Sequence, residues 1–155
     1  NNDSSGFLGY TNDPQTHLYS TLSVAESPTY KTWLITKNDN GFYKIVAKKH
    51  PDCEITGEID LFYVLYLCNN LPPFISVSRN SPCNWSFEYQ PSSSKTHYKI
   101  KFRKGITFRD FVLAYDTKDN AVKIVEDIES QPDNIACIWD IQNVPTKSQV
   151  ESYGI

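Results

Sequence analysis

Apolar and polar side chains alternate in short runs along this chain, and each run ends in a cluster of Asn, Asp, Gly, Pro or Ser. That rhythm has the period of a half-buried β-strand, and no stretch sustains the period of an amphipathic helix. The runs predict twelve strands. The first four are Phe7–Tyr10, Leu18–Val24, Thr32–Ile35 and Tyr43–Val46. The next four are Val64–Leu67, Phe74–Ser78, Asn84–Phe87 and Tyr98–Lys101. The last four are Val112–Tyr115, Ala121–Glu126, Ile138–Ile141 and Tyr153–Ile155. Asp39-Asn40-Gly41 predicts a tight hairpin after the third strand, because Asn and Gly tolerate the positive φ such turns need.

The runs repeat in fours. Trp33, Trp85 and Trp139 each sit on the third run of a set, 52 and then 54 residues apart. Tyr43, Tyr98 and Tyr153 each open the fourth, at intervals of 55 and 55. A fixed period of this kind marks a repeat architecture whose units bury their apolar faces together. The expected units span about residues 6–50, 61–104 and 110–155 of one domain covering 1–155. Three four-stranded units with a large ring on each third strand resemble the β-trefoil. The expected fold is therefore all-β, a β-trefoil of twelve strands in three pseudo-symmetric four-strand repeats, with the tryptophans plugging the barrel. Each such ring buries on the order of 150–250 Å².

Composition narrows the function. Charged residues are 21% of the 155 and the formal net charge is −3, so no broad positive field draws nucleic acid or an anionic membrane. Lys99, Lys101 and Arg103 alternate with Ile100 and Phe102, which reads as the wet face of a strand. No apolar run approaches the roughly 20 residues that cross a bilayer, and Leu61–Cys68 reads as a buried strand, so membrane insertion is not expected. Four cysteines allow three pairings; Cys53 and Cys68 flank a turn-rich link, while Cys83 and Cys137 each stand two residues before a repeat tryptophan. A disulfide-bearing, secreted protein is the expectation. The absence of methionine and the sequons at Asn2 and Asn84 point the same way, with Asn84 the poorer acceptor because Trp85 adjoins it. His50-x-x-Cys53 has a metal-like spacing but lacks a second pair, so neither metal nor cofactor is expected.

Catalytic signatures are missing: there is no nucleophile elbow, phosphate-cradling glycine loop or His-Glu-x-x-His. Ile138–Pro145 resembles the opening strand of NYN-type nucleases, which use an aspartate where Asp140 stands. Trp139 belongs to the repeat and only ten residues follow the motif, so the match is read as coincidence. A non-enzymatic binding protein is expected, with function in loops on a rigid barrel. Phe7-Leu8-Gly9-Tyr10 and the run from Thr32 to Ile45 resemble the fungal trefoil inhibitors of cysteine and serine proteases, the mycocypins and cospin-like proteins. More distantly, the chain resembles the Kunitz soybean-type inhibitors. The resemblance implies a protease partner and an inserted loop, with Arg79, Asn80 and Ser81, or Asn69 and Asn70, as contact candidates. The alternative is a glycan-binding lectin using Asp116, Asp119 and Asn120. Ricin-type lectins carry Gln-x-Trp, however, and Lys31, Cys83 and Cys137 stand where that glutamine would be. A cytokine-like or cytoskeletal interaction module is the third possibility. The sequence carries no signal of oligomeric state.

Overall fold

A computed structural model describes residues 6–11, 19–20, 22–25, 28–58, 74–79, 83–91, 96–103 and 110–142. These form thirteen strands and no helix: β1 (Phe7–Gly9), β2 (Tyr19–Ser20), β3 (Ser23–Ala25), β4 (Trp33–Lys37), β5 (Tyr43–Ala47), β6 (His50–Glu58) and β7 (Phe74–Arg79), followed by β8 (Trp85–Tyr89), β9 (His97–Phe102), β10 (Phe111–Asp116), β11 (Ala121–Glu126), β12 (Ile135–Ala136) and β13 (Trp139–Asp140). β1 pairs with β3. The rest run in the order β11-β10-β9-β8-β5-β6-β7-β2, with β4 on β5, β12 on β10 and β13 on β9. Every pairing is antiparallel, and β11 packs back against β7 and β3, so the sheet curls into a nearly closed barrel.

The period-2 pattern explains which faces turn inward. On β11, Val122 and Ile124 are buried and alternate with half-buried Ala121, Lys123 and Val125. β10 lies between β11 on one edge and β9 with β12 on the other, and Phe111 to Ala114 are all buried. Ile55 of β6 faces Val77 of β7, and neither is exposed to solvent. Full burial of such a side chain contributes about 1.5–3 kcal/mol. The core continues through Tyr10, Leu22, Ile45, Trp85, Ile100, Phe102 and Leu113.

The tryptophans share one bonding pattern. Trp33 Nε1 donates to Leu8 O at 3.0 Å, Trp85 Nε1 to Ile55 O at 3.0 Å, and Trp139 Nε1 to Leu113 O at 2.9 Å. Their burial differs from the even plug expected of them. Trp85 is fully buried, whereas Trp33 and Trp139 are half-buried against the core. Trp33 opens β4, whose only strand partner among the described residues is β5, and Trp139 lies on a strand of two residues.

Nine of the expected strands coincide with observed ones to within a few residues, and Leu18–Val24 is divided into β2 and β3. Val64–Leu67 and Tyr153–Ile155 lie outside the described residues. Sequence reading missed β6, a nine-residue strand that registers against β7 from Cys53↔Arg79 to Glu58↔Phe74. Its Pro51, Asp52 and Gly57 are residue types that strands disfavour, although Cys53 and Ile55 alternate inward.

The disulfide expectation is overturned. Cys53, Cys83 and Cys137 form no disulfide, and Cys68 lies outside the described residues. Bridging needs Cα atoms about 4.4–6.8 Å apart with converging Cβ vectors. Cys53 instead sits mid-strand in β6 with its thiol toward Asp52, Cys83 precedes β8, and Cys137 lies between β12 and β13.

Candidate functional site

The link between β7 and β8 is anchored on β6 at both ends. At its start, Arg79 pairs with Cys53 in the β6–β7 register. At its end, the Cys83 backbone N–H donates to Glu54 Oε1 at 3.1 Å. The two anchor points are consecutive residues of one strand. Burial pushes the Glu54 carboxyl above its ordinary value, although the Cys83 N–H and the nearby Lys44 charge act against that shift. Nothing in the sequence marks Glu54 for this role, because its partner is a backbone group 29 residues away. Asn80 and Ser81 lie outside the described residues, as do Asn69 and Asn70 of the other candidate loop.

The three sugar-site candidates meet in the β10–β11 turn. Asp116 is buried, and its Oδ1 accepts from Lys118 N at 3.0 Å, Asp119 N at 3.3 Å and Asn134 Nδ2 at 2.8 Å. Its Oδ2 accepts from Lys123 Nζ at 2.8 Å, and Lys123 also pairs with Asp119 Oδ2 at 2.7 Å. The Lys123 ammonium first, and then the Asn134 amide, hold the Asp116 carboxyl well below the usual carboxylate range. Asn120 takes a positive φ of 53° and accepts from the Tyr115 hydroxyl. Asp116 thus has both oxygens committed to its own turn, Lys123 and Asn134, and Asp119 and Asn120 are the exposed members of the trio. Lys123 and Asn134 were not singled out in the sequence. An Asp followed at i+7 by Lys across a hairpin was the available signal.

The basic strip of β9 is neutralised by its neighbours. Lys99 Nζ meets Asp127 at 3.0 Å, and Lys101 Nζ meets Glu88 at 2.6 Å and Asp127 at 3.5 Å. Arg103 Nη1 meets Asp110 at 3.1 Å. Among the described residues these three cations are matched by three carboxylates, and Lys101 is nearly buried among them instead of facing water. The Glu88 hydrogen bond raises the Lys101 pKa, and the same bond lowers that of Glu88.

His50 and Cys53 each bond to other side chains of the protein. His50 Nδ1 shares a 2.6 Å hydrogen bond with Tyr10 OH inside a cluster with Tyr30 and Trp33. Among the described residues no group of three or more His, Cys, Asp or Glu could hold a metal ion, and no helix is long and apolar enough to cross a membrane. The Asn84 carboxamide oxygen accepts from Asn38 Nδ2 at 3.2 Å and Asn40 Nδ2 at 3.4 Å; Asn2 lies outside the described residues. Asp140 accepts from the Thr96 hydroxyl and from Gln142 Nε2 at 2.9 Å, which lowers its pKa.

No family model matches this chain, and neither a curated protein nor a solved structure is significantly similar to it.

Proposed function

We propose that this chain is a non-enzymatic β-trefoil protein that inhibits a protease with the loop following Arg79. The trefoil reading draws on repeated pairings. Leu8↔Val24, Ile55↔Val77 and Leu113↔Ile124 are equivalent pairings on this reading, with β6 taking the first-strand place that Val64–Leu67 was expected to fill, and Leu8, Ile55 and Leu113 each offer their carbonyl to a tryptophan N–H. Tyr43 of β5 lies opposite Trp85, and Tyr98 of β9 lies opposite Trp139, so a fourth strand meets the next third strand twice in the same way.

The observation that carries the inhibitor reading is the double anchoring of the β7–β8 link on Cys53 and Glu54. Anchoring the two ends of an inserted segment lowers the entropy lost when it enters a protease cleft. Arg79 supplies the cation that an acidic specificity pocket selects. Titrating the protein against trypsin-like, papain-like and asparaginyl proteases tests the reading. Tight inhibition of a trypsin-like enzyme that disappears in Arg79→Ala is the expected result. Inhibition unchanged by Arg79→Ala removes this loop, and no inhibition of any class alongside glycan binding replaces the reading with the lectin.

A further inference from the structure

Asn40-Gly41 is the chain's single Asn-Gly pair, and it occupies the exposed tip of the β4–β5 hairpin. Gly41 holds φ +88°, and apart from its two chain neighbours nothing lies within 4 Å of where a Cβ would stand, so the space beside it is open. The Asn40 carboxamide is folded over the turn, its Oδ1 accepting from Phe42 N at 3.0 Å. That bond draws electron density from Cγ and keeps the side chain beside the backbone that follows it.

We propose that Asn40 is a site of spontaneous deamidation through the Gly41 nitrogen. The Gly41 amide loses its proton to solvent base and its nitrogen bonds to Asn40 Cγ. The Cγ–Nδ2 bond breaks, and Nδ2 leaves as ammonia after taking a proton. The five-membered imide then adds water. Opening at Cγ gives aspartate, and opening at the Asn40 backbone carbonyl gives isoaspartate. The net change is amide plus water to acid plus ammonia, with no redox step.

One bond opposes the reaction: Gly41 N–H donates to Asn38 O at 3.1 Å. It sits at a hairpin tip, where local opening requires little else to move. The consequence reaches beyond the tip. Asn40 Nδ2 donates to Asn84 Oδ1, and a carboxylate in its place presents an acceptor to an acceptor. The tie between this hairpin and the segment entering β8 is weakened, and the formal net charge drops by one from −3.

The test is to hold the full chain at mildly alkaline pH and map products by peptide mass and isoaspartyl methyltransferase labelling. The excised hairpin peptide serves as the reference. Conversion at Asn40 ahead of Asn38, Asn84, Asn120 and Asn134, with isoaspartate present, is the expected result. Loss of all label at the hairpin in Asn40→Gln is expected too. Asn40 remaining intact in the folded chain while the peptide converts would overturn the proposal. Aspartate without isoaspartate would also overturn it, since that marks direct hydrolysis instead of the imide.

Discussion

The β4–β5 and β10–β11 hairpins begin from similar local instructions and end in different roles. Each joins paired strands through a polar turn with one residue at positive φ, Gly41 at 88° and Asn120 at 53°. In the first, Asn38 N–H bonds Phe42 O and Gly41 N–H bonds Asn38 O, a type I turn closed by a glycine bulge. Its strand leaves Leu34 and Ile35 exposed at 45% and 42%, and beyond its own turn bonds the tip is tied to the rest of the protein by amides reaching Asn84. In the second, Phe111, Val112, Leu113 and Ala114 are all buried, and the tip is locked by Asp116. The difference lies in the sheet. β10 has neighbours on both edges, whereas β4 has only β5 among the described residues. Turn chemistry decides where a hairpin closes, and the neighbouring strands decide what its side chains are worth.

The same substitution made in both hairpins measures that difference most directly. Leu113→Ala empties a site with no solvent exposure and should cost about 2–5 kcal/mol in urea unfolding. Leu34→Ala removes a side chain already 45% exposed and should change stability by about 0.5 kcal/mol or less. Equal losses at the two positions would mean that β4 is covered in solution and that the contrast is false.

The second contrast is electrostatic. Asp116→Ala removes an acceptor from Asn134 and two backbone N–H groups at once and leaves Lys123 with Asp119 alone, and should lower Tm by several degrees. Because the folded carboxyl titrates below its ordinary 3.8, its contribution is complete above that value. It is lost as pH falls from about 4 toward the folded pKa. Acid unfolding of the parent protein should therefore steepen below about pH 4, and Asp116→Asn should flatten that limb. Substitution of Asn38 in the other hairpin should leave the acid limb unchanged, since its tip bonds are between neutral amides.

Much of this contrast was written in the sequence, and the unread part has a physical cause. Ala121 to Glu126 was legible because β-branched Val122, Ile124 and Val125 lie between strong turn signals, and the observed strand has the same bounds. The tryptophan spacing marked three rings that do share one bonding pattern. β6 was not legible, since Pro51 and Gly57 mask an alternation that only β7 reveals. Asp116 drew notice as a polar turn residue. Its role depends on Asn134, 18 residues away, and local spacing does not report such a partner. Glu54 escaped notice for the same reason. Partners across the barrel are set by pairing register, which a one-residue shift would change completely.

The smallest expected effect separates backbone strain from side-chain bonding in the two turns. Gly41 has open space around it, so Gly41→Ala meets no clash and is penalised only by its φ of +88°. A non-glycine residue held in that region costs about 1–2 kcal/mol, and a loss of that size should appear as an earlier urea midpoint with an unchanged slope. Asn120→Gly works in the opposite sense. It relieves the residue at φ 53° but gives up the hydrogen bond from the Tyr115 hydroxyl. The two terms are of similar size, so the net change should lie within about 0.5 kcal/mol of zero. Repeating Asn120→Gly in a Tyr115→Phe background isolates the backbone term, because the bond is already gone. There the glycine should be stabilising. If it destabilises in both backgrounds, the left-handed position carries no strain in this turn, and the likeness between the two hairpins fails at its one shared feature.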